Sequence, residues 1–367
     1  MWENNPVTRA LGIQQPIFQG PFGSGHSSAE LAAAVSNAGG LGAYGAHHLS
    51  GEQILALAAD IRRRSERPFN LNLWVPRSAE WGRPMDESRE TAYLQQLKPL
   101  FEQLDLSPPA SAGNPLHDFN EQVEALLEAR PAVFSFVFGI PERSILDRCA
   151  ERGIVTLGAA TCVAEARALE DAGVNMVVAS GLEAGGHRPA FLEEPQPSSL
   201  LSTFALLPRV RDAVSIPVIA AGGIGDGRGV AAAFALGADA AQVGTAFLGC
   251  DESGASTLHR SLLRDPEGCD TVLTRAVSGR LARYIRNRLT ESADQWPDPA
   301  LSYPLQLSLT RPLAKASVDR GSADFATMAA GQIAGLSRHR RAAELMASLI
   351  ADSTLHTNSP DPETTEE

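Results

Sequence analysis

The sequence predicts a (β/α)8 barrel, an α/β fold in which eight parallel strands alternate with helices. Short apolar runs alternate with helical patterns at intervals of about 20 to 40 residues, which is typical of βα units. Eight such runs precede Cys250, and they are apolar nearly throughout, as expected of strands buried on both faces. A chain of 367 residues also lies within the range of one barrel with insertions.

A doubly wound sheet is the alternative fold. It normally carries the pattern GxGxxG directly after its first strand, with an acidic residue about 20 positions later. The segment Gly20–Gly25, "GPFGSG", offers glycines at a different spacing, so the barrel is favoured.

Each predicted strand is followed by a helical pattern. In the first of these, Ser27 or Ser28 can cap the helix and Gly39 can end it. The segments 162–174 and 227–238 follow the same order of helix, glycine and strand. The predicted strands are Pro16–Gly20, Leu41–Gly45, Phe69–Val75, Ala132–Gly139, Gly153–Ala159, Asn175–Ser180, Ile216–Gly223 and Ala238–Thr245.

Three segments depart from this alternation of strands and helices. The barrel itself is predicted to span residues 6–250. Residues 76–118 are too long for a routine connection and rich in proline, which predicts a partly helical insertion over one end of the barrel. After Cys250 the strand pattern stops, so residues 251–352 are predicted to form a mainly helical extension that covers the barrel mouth. Residues 353–367 are polar and acidic, and we expect them to be disordered.

The charge balance disfavours a nucleic-acid partner. The chain has 31 lysines and arginines against 43 aspartates and glutamates, a formal net charge of −12. The most basic cluster is Arg280–Arg288, "RLARYIRNR", where arginines recur at helical spacing. This spacing favours a solvated or internally paired helix face over a site for a polyanion.

The cysteines and the N-terminal sequence predict a cytoplasmic protein without a membrane partner. Cys149, Cys162, Cys250 and Cys269 form no CxxC pair, so neither a zinc site nor a disulfide framework is indicated. Buried free thiols in a reducing compartment are expected. The first residues lack a signal-peptide pattern, and nowhere do 18 apolar residues follow one another.

Two glycine-containing strand ends are candidates for a phosphate site. The seventh predicted strand ends in "AAGGIGDGRG" and the eighth in "QVGTAF", and helix-forming sequence follows each. In a barrel these two loops can bring backbone N–H groups and a helix N-terminus to a phosphate. Glycines that are needed only for tight turns are the alternative.

Two other strands carry polar residues. Asn70 and Asn72 point to the same side of the third strand, and each needs a hydrogen-bond partner, either a heteroaromatic ring edge or a neighbouring backbone group. The sixth strand leads into the long connection 181–199, where His187 lies near the strand end. An imidazole with a pKa near 6.5 could accept a proton there. A surface histidine bonded to a loop carbonyl is the alternative.

An ordered set of motifs resembles the nitronate monooxygenase family, formerly called 2-nitropropane dioxygenases. The resemblance covers about Pro6 to Ile350, and each motif is weak by itself, whereas the ordered set is specific. The motifs are "PIFQGPF", "AAAVSNAGGLG", "FNLNLWVP", "EAGGHRP", "IPVIAAGGI", "AAQVGTAFL", "VSGRLARYIRN", "YPLQ" and "AGQ".

The resemblance implies an FMN-binding barrel in which His187 is catalytic and faces the flavin. It also implies that Asn72 bonds the flavin ring and that Tyr303 of "YPLQ" is a candidate for closing the site, although a core tyrosine fits equally well. By position, the phosphate would be held by Gly222, Gly223, Gln242, Val243, Gly244 and Thr245, the ring would lie beside Gly20, Pro21 and Phe22, and Gly185 and Gly186 would line the approach.

This chain departs from the family pattern at Ser180. Members commonly carry glutamine three residues before the glutamate of the AGGH loop, where this chain has serine. A serine hydroxyl is shorter and needs a water to reach the flavin pyrimidine. Pro189, where glycine is frequent in the family, stiffens the loop beyond His187.

The activity implied by the resemblance is oxidation of an alkyl nitronate by dioxygen to a carbonyl compound and nitrite. His187 would take the α-proton of a neutral nitroalkane and, as imidazolium, would stabilise the nitronate. One alternative is an FMN-dependent NAD(P)H:quinone or enoyl-ACP-type reductase, because FMN can accept hydride without a GxGxxG motif. Another is a phosphate-binding barrel without redox activity. The C-terminal helices could serve a homodimer as easily as the barrel.

Overall fold

Eight parallel strands form the centre of the molecule and confirm the predicted (β/α)8 barrel. The structure is a computed structural model that describes residues 5–23, 25–76, 87–113, 116–267, 269–293, 295–296, 301–336 and 338–357. The barrel strands are β1 (Ile17–Gln19), β2 (Gly42–Gly45), β3 (Phe69–Trp74), β4 (Val133–Val137), β5 (Val155–Ala160), β6 (Met176–Ser180), β8 (Val218–Ala221) and β9 (Ala240–Val243). A two-residue strand, β7 (Gly186–His187), lies outside the barrel.

The strands pair in the order β1-β9-β8-β6-β5-β4-β3-β2, all parallel. A parallel bridge between Phe18 and Leu41 joins β1 to β2 and closes the ring. Neighbours in the ring are consecutive barrel strands along the chain. The carboxyl ends of all eight strands therefore meet at one rim, where the βα loops can converge.

Helices cover the outside of the ring. Ser28 caps the first helix after β1, since its hydroxyl accepts the N–H of Leu31, which settles the choice between Ser27 and Ser28. The helices are α1 (Pro6–Leu11), α2 (Ala29–Asn37), α3 (Gly51–Arg64), α4 (Glu87–Glu102), α5 (Phe119–Ala129), α6 (Arg143–Glu151), α7 (Val163–Asp171), α8 (Thr203–Arg211), α9 (Gly227–Ala235), α10 (Thr245–Leu248), α11 (Thr257–Leu263), α12 (Arg288–Ala293), α13 (Leu305–Asp319) and α14 (Ala342–Thr357), with a 3-10 turn at Pro197–Ser199.

The helix that completes the barrel comes from the end of the chain. Helix α10, directly after β9, has only four residues, and α14 packs instead against α9 and α2. Gly227 allows this packing, because a Cβ there would lie 2.3 Å from the Cβ of Asp352. The apolar residues of α14 that join the main barrel core are Ala342, Leu345, Met346 and Leu349.

This packing corrects two predicted boundaries. The barrel does not end at residue 250, since α14 is part of it and the extension is inserted between β9 and α14. Helix α14 also continues to Thr357, into the segment predicted to be disordered from residue 353. Residues 358–367, the rest of that predicted tail, lie outside the described residues.

Helix α1 fills the amino-terminal end of the barrel. Val7 and Leu11 are buried in a cluster with inward-facing residues such as Ile219. The side chain of Asn5 caps α1 through the N–H groups of Val7 and Thr8, and its amide donates to the carbonyl of Asp239 at 2.7 Å. This end is therefore packed with apolar side chains.

The predicted insertion is partly helical, as expected, and packs on the extension. Helix α4 lies within it, and Tyr93 and Leu97 of α4 share a second hydrophobic core with Leu309 and Leu313 of α13. Residues 77–86 and 114–115 of the insertion lie outside the described part of the chain.

The extension contains strands, contrary to the prediction that the strand pattern stops after Cys250. Strands β10 (Thr271–Thr274) and β11 (Ala282–Ile285) are antiparallel, and β11 also pairs with β7. The cluster Arg280–Arg288 is therefore not one helix face, because β11 occupies its centre. Pairing with β10 and β7 makes this segment a strand, although its arginines recur at helical spacing.

The cysteines are free, with Cys149 and Cys250 buried and Cys162 and Cys269 partly exposed. Within the described ranges, no helix combines the length and the apolar character needed to cross a bilayer.

Candidate active site

A cavity opens at the carboxyl end of the barrel strands and brings together almost all the predicted site residues. His187 lines it together with Gly20, Pro21, Phe22, Asn72, Ser180, Gly185, Gly186, Gly222, Gly223, Gln242, Gly244 and Thr245. These residues come from six different segments of the chain, and the barrel places them at one rim. Val243 and Tyr303 are the predicted residues that do not line the cavity.

The side chain of Val243 points away from the cavity. Side chains alternate along β9, so Gln242 faces the cavity and Val243 is fully buried in the main core. Its carbonyl oxygen accepts the N–H of Gly20 at 2.9 Å. Within the 242–245 stretch, the residues that line the cavity are Gln242, Gly244 and Thr245.

The glycines after β8 have two different functions. Gly222 and Gly223 adopt φ values of +108° and +72°, which residues with a Cβ rarely adopt, and both line the cavity. Gly225 and Gly227 instead allow close packing, against Ile333 and α14 respectively. Only the first pair is placed to contact a ligand through its backbone.

The loop after β9 is tied to the extension. The Thr245 hydroxyl accepts the N–H of Gly331 at 2.8 Å, and Gln332 donates its N–H to the carbonyl of Glu183 at 3.0 Å. The "AGQ" motif, residues 330–332, therefore joins the eighth barrel loop to the loop after β6.

The two asparagines of β3 find their partners on β4. Asn70 accepts the backbone N–H of Ser135 at 3.1 Å, and Asn72 donates to the Ser135 hydroxyl at 3.0 Å. Asn70 thus bonds a backbone group, one of the two predicted partners. Asn72 bonds a side chain and also lines the cavity.

Two buried arginines hold the end of β6. Arg188 donates to the carbonyls of Ser180 and Gly181 at 2.6 and 2.5 Å, and Arg283 donates to the carbonyl of Leu182 at 2.9 and 3.1 Å. Burial lowers the pKa of Arg188 to about 10, so it stays protonated at neutral pH. Three consecutive carbonyls are thus fixed, and with them the start of the AGGH loop.

The glutamate of the AGGH loop is also a structural anchor. Both carboxylate oxygens of Glu183 accept the N–H of Thr203 at the start of α8, at 2.9 and 3.0 Å, and the Thr203 hydroxyl donates to the same carboxylate. A Cβ at Gly185 would lie 2.6 Å from the backbone of Ala330 and Gly331. Only glycine allows this approach between the loop and the extension.

His187 lies in a buried aromatic environment. Its ring centroid is 5.0 Å from that of Trp74 and 6.1 to 6.3 Å from those of Phe138, Tyr303 and Tyr284. The alternative of a surface histidine bonded to a loop carbonyl is therefore wrong. The aromatic rings exclude water from the imidazole on several sides.

The imidazole is held neutral. Its Nε2 lies 2.7 Å from the Ser278 hydroxyl, and burial, with a smaller contribution from the charge of Arg280, lowers the pKa of His187 to about 3. The expectation of an ordinary pKa near 6.5 is corrected by this burial. At neutral pH one ring nitrogen is free to accept a proton.

Tyr303 lies behind the cavity lining. Its ring is 5.3 Å from Trp74, and it is 3% exposed, so it resembles a core tyrosine that also borders the site. The guanidinium of Arg280 lies 4.0 Å over the Phe138 ring and 5.8 Å over Tyr303. One buried positive charge therefore lies beside the rings of Phe138 and Tyr303.

Several residues of the site were missed by reasoning from the sequence. Trp74 could have been found, because it has the same strand parity as Asn70 and Asn72. Ser278 and Arg280 lie in the motif "VSGRLARYIRN", but nothing in it indicated that they reach His187, since they do so through the pairing of β7 with β11.

Comparisons with known proteins agree with the motifs. A family model described as nitronate monooxygenase matches residues 4–352. A nitronate monooxygenase of Pseudomonas aeruginosa is 43% identical over 349 residues, covering 94% of this chain and 98% of the relative. A probable nitronate monooxygenase of Staphylococcus aureus is 38% identical, covering 95% and 97%.

Solved structures show the same architecture. A nitroalkane oxidase from Streptomyces ansochromogenes is 36% identical and has a TM-score of 0.88, covering 96% of this chain and 99% of that one. FabK from Thermotoga maritima is 27% identical with a TM-score of 0.73, covering 96% and 97%.

Proposed function

The chain belongs to the nitronate monooxygenase family, and on this premise we propose that it is an FMN-dependent enzyme that oxidises alkyl nitronates with dioxygen. The family is one of flavin-dependent oxidoreductases. Neutral nitroalkanes would enter the same reaction after loss of the α-proton. The observation that carries the proposal is a neutral, half-buried His187 in a cavity bounded by the glycine loops of β8 and β9.

The cavity fits a flavin mononucleotide. A Cβ at Gly223 or at Gly244 would have no atom closer than 3.7 Å, so the packing of protein atoms does not require glycine at either position. The N-terminus of α9 is already capped by the carboxylate of Asp226, so the proposal places the phosphate on the loop backbone and not on this helix end. We assign the phosphate to Gly222, Gly223, Gln242, Gly244 and Thr245, and the ring to Gly20, Pro21, Phe22, Asn72 and Ser180.

When bound, FMN supplies the electron acceptor for the nitronate and the donor for dioxygen. The side chains around it have other tasks. His187 accepts the α-proton of a nitroalkane, because its lowered pKa leaves a ring nitrogen unprotonated at neutral pH. The rings of Trp74 and Phe138 exclude water from the imidazole.

Arg280 provides the electrostatic complement to an anionic substrate. After burial, its charge is the second cause of the lowered pKa of His187, and it opposes the rise that burial causes in the pKa of Tyr303, so its field reaches the end of the cavity where they lie. A positive charge that disfavours imidazolium favours a nitronate anion at the same place. Arg280 would thus add to the stabilisation of the anion that is expected from the imidazolium of His187 after proton transfer.

Anaerobic reduction tests the proposed function. The purified full chain, reconstituted with FMN, is mixed without oxygen with propane-2-nitronate in one experiment and with NADH in another. We expect the absorbance of the oxidised flavin to be lost with the nitronate and kept with NADH. Rapid bleaching by NADH alone would favour a reductase. Protein that stays colourless after incubation with FMN would overturn every FMN-dependent assignment.

A further inference from the structure

We propose that Ser278 is a positioning residue that fixes the tautomer of His187 and leaves Nδ1 as the nitrogen that accepts the substrate proton. The inference rests on the proposed role of His187 as a base. It concerns a residue of the extension that lies 91 positions away along the chain.

The register of the small sheet brings the two residues together. His187 of β7 is paired with Ala282 of β11, and Ser278 lies in the turn that leads into β11. Ser278 is fully buried, and its hydroxyl oxygen lies 2.7 Å from Nε2 of His187. Across the described chain, no hydrogen bond from Nδ1 to a protein group accompanies this contact.

The Ser278 hydroxyl has three further partners. The backbone N–H of Arg280 donates to it at 3.3 Å, the hydroxyl can donate to the Arg280 carbonyl at 3.5 Å, and the Tyr284 side chain is hydrogen bonded to it. Tyr284 is 3% exposed and lines the cavity. The serine therefore links the imidazole to a phenol at the cavity wall.

The available hydrogens allow two hydrogen-bond arrangements around the Ser278 hydroxyl. A serine hydroxyl has one hydrogen to donate and two lone pairs to accept with, and the peptide N–H of Arg280 always occupies one lone pair. In the first arrangement Nε2–H of His187 donates to Ser278, whose own hydrogen goes to Tyr284 or to the Arg280 carbonyl. In the second, Tyr284 donates to Ser278, which donates to Nε2.

Only in the first arrangement is Nδ1 of His187 unprotonated, so that it can accept a proton from the substrate. With hydrogen on Nε2, the lone pair of Nδ1 is free, whereas in the second arrangement Nδ1 carries the hydrogen. In the proton transfer the substrate C–H bond breaks, its electron pair stays on the nitronate, and a new N–H bond forms at Nδ1. The resulting imidazolium keeps its Nε2–H bonded to Ser278, so no further reactant is needed.

Nitrogen NMR of the full chain labelled with 15N-histidine tests the tautomer without any turnover. We expect Nε2 of His187 to carry the hydrogen in the parent protein. We expect the preference to be lost in Ser278→Ala and restored in Ser278→Thr, which keeps the hydroxyl. Hydrogen on Nδ1 in the parent would overturn the inference.

Kinetics give the second measurement. In Ser278→Ala we expect kcat for a neutral nitroalkane to fall about 10- to 100-fold, and kcat for the preformed nitronate to change less than about 3-fold. Ser317→Ala is the matched control, because Ser317 is also fully buried in the extension but bonds the carbonyl of Ser322. A parental nitroalkane rate in folded Ser278→Ala would overturn the inference.

Failure of the inference is distinguishable from failure of the proposed function. If the parent oxidises neither form of the substrate, the proposed function fails, and the tautomer is still read by NMR. If Ser278→Ala does not fold, the tautomer is read in the parent and in Tyr284→Phe, and we expect hydrogen on Nε2 of His187 in both. Hydrogen on Nδ1 in either protein would overturn the proposal.

Discussion

The two ends of the barrel are built from the same eight strands but are filled differently. At the amino-terminal end Val7 and Leu11 of α1 pack against inward-facing aliphatic residues, and the end is closed. At the carboxyl end the loops meet around a cavity with His187 and paired glycines. One end therefore contributes stability and the other chemistry. Changes at the amino-terminal end should alter the free energy of unfolding, and changes at the carboxyl end should alter the enzymatic rates.

The largest effect is expected from His187→Asn at the carboxyl end. This variant removes the base but keeps a polar side chain, so activity toward a neutral nitroalkane should fall about 100- to 10,000-fold. Activity toward a preformed nitronate should fall less, and FMN should stay bound. Steady-state rates on both forms and the flavin spectrum measure this. Equal loss on both forms would contradict the role as base.

Leu11→Ala tests the opposite end. Leu11 is 6% exposed in the cluster that closes the barrel, and its truncation should lower the free energy of unfolding by about 2 to 5 kcal/mol. Urea denaturation measures the loss. Both kcat and KM should stay at parental values at 25 °C, and a change in KM for the nitronate would break the separation between the two ends.

The pH dependence of stability should also originate at the carboxyl end. Burial lowers the pKa values of His187 and His259 to about 3, below the value near 6.5 of an unfolded chain. The unfolded state then binds more protons below pH 6.5. Stability is therefore complete above about pH 6.5 and is lost progressively as the pH falls toward 3.

Urea midpoints at pH 7 and pH 4.5 measure this effect, and the midpoint should be lower at pH 4.5. His187→Asn should reduce the difference between the two pH values, since asparagine does not titrate. Leu11→Ala serves as the control, because it should lower both midpoints and leave their difference unchanged. An unchanged difference in His187→Asn would show that other groups carry the dependence.

The smallest effect is expected on the outer surface, remote from both ends. Arg143 and Asp147 form an exposed ion pair at 2.8 Å, one turn apart on α6. Arg143→Ala should change the free energy of unfolding by no more than about 0.5 kcal/mol, with parental kinetics. A larger change would mean that stability is not concentrated in the packed ends.

The predictable part of the fold is the part encoded locally. Each of the eight barrel strands could be located because a short apolar run between helical patterns is a property of neighbouring residues. Helix α14 could not be placed, since nothing in its sequence specifies that it packs between α9 and α2. Strand β11 was missed because it depends on pairing with β10 and with β7, and β7 lies about a hundred residues earlier along the chain.

The residues of the site can also be separated into those that local sequence predicts and those that depend on distant contacts. His187 and the glycines of the barrel loops follow motifs of consecutive residues, and most of them line one cavity. The side chain of Val243 points away from the cavity because side chains alternate along β9, whereas Gln242 lines it. Ser278, Arg280 and Arg283 act on the site through the small sheet, so their roles become visible only in three dimensions.

The position of α14 at the end of the chain has a consequence for synthesis. Until the last turns of α14 have left the ribosome, the apolar seam between α2 and α9 has no cover, and the core that Leu345 and Leu349 complete stays open to water. The loops that surround His187 can meet only on a closed ring. A nascent chain that stops before residue 342 would therefore be a target for chaperones and proteases rather than a slow enzyme.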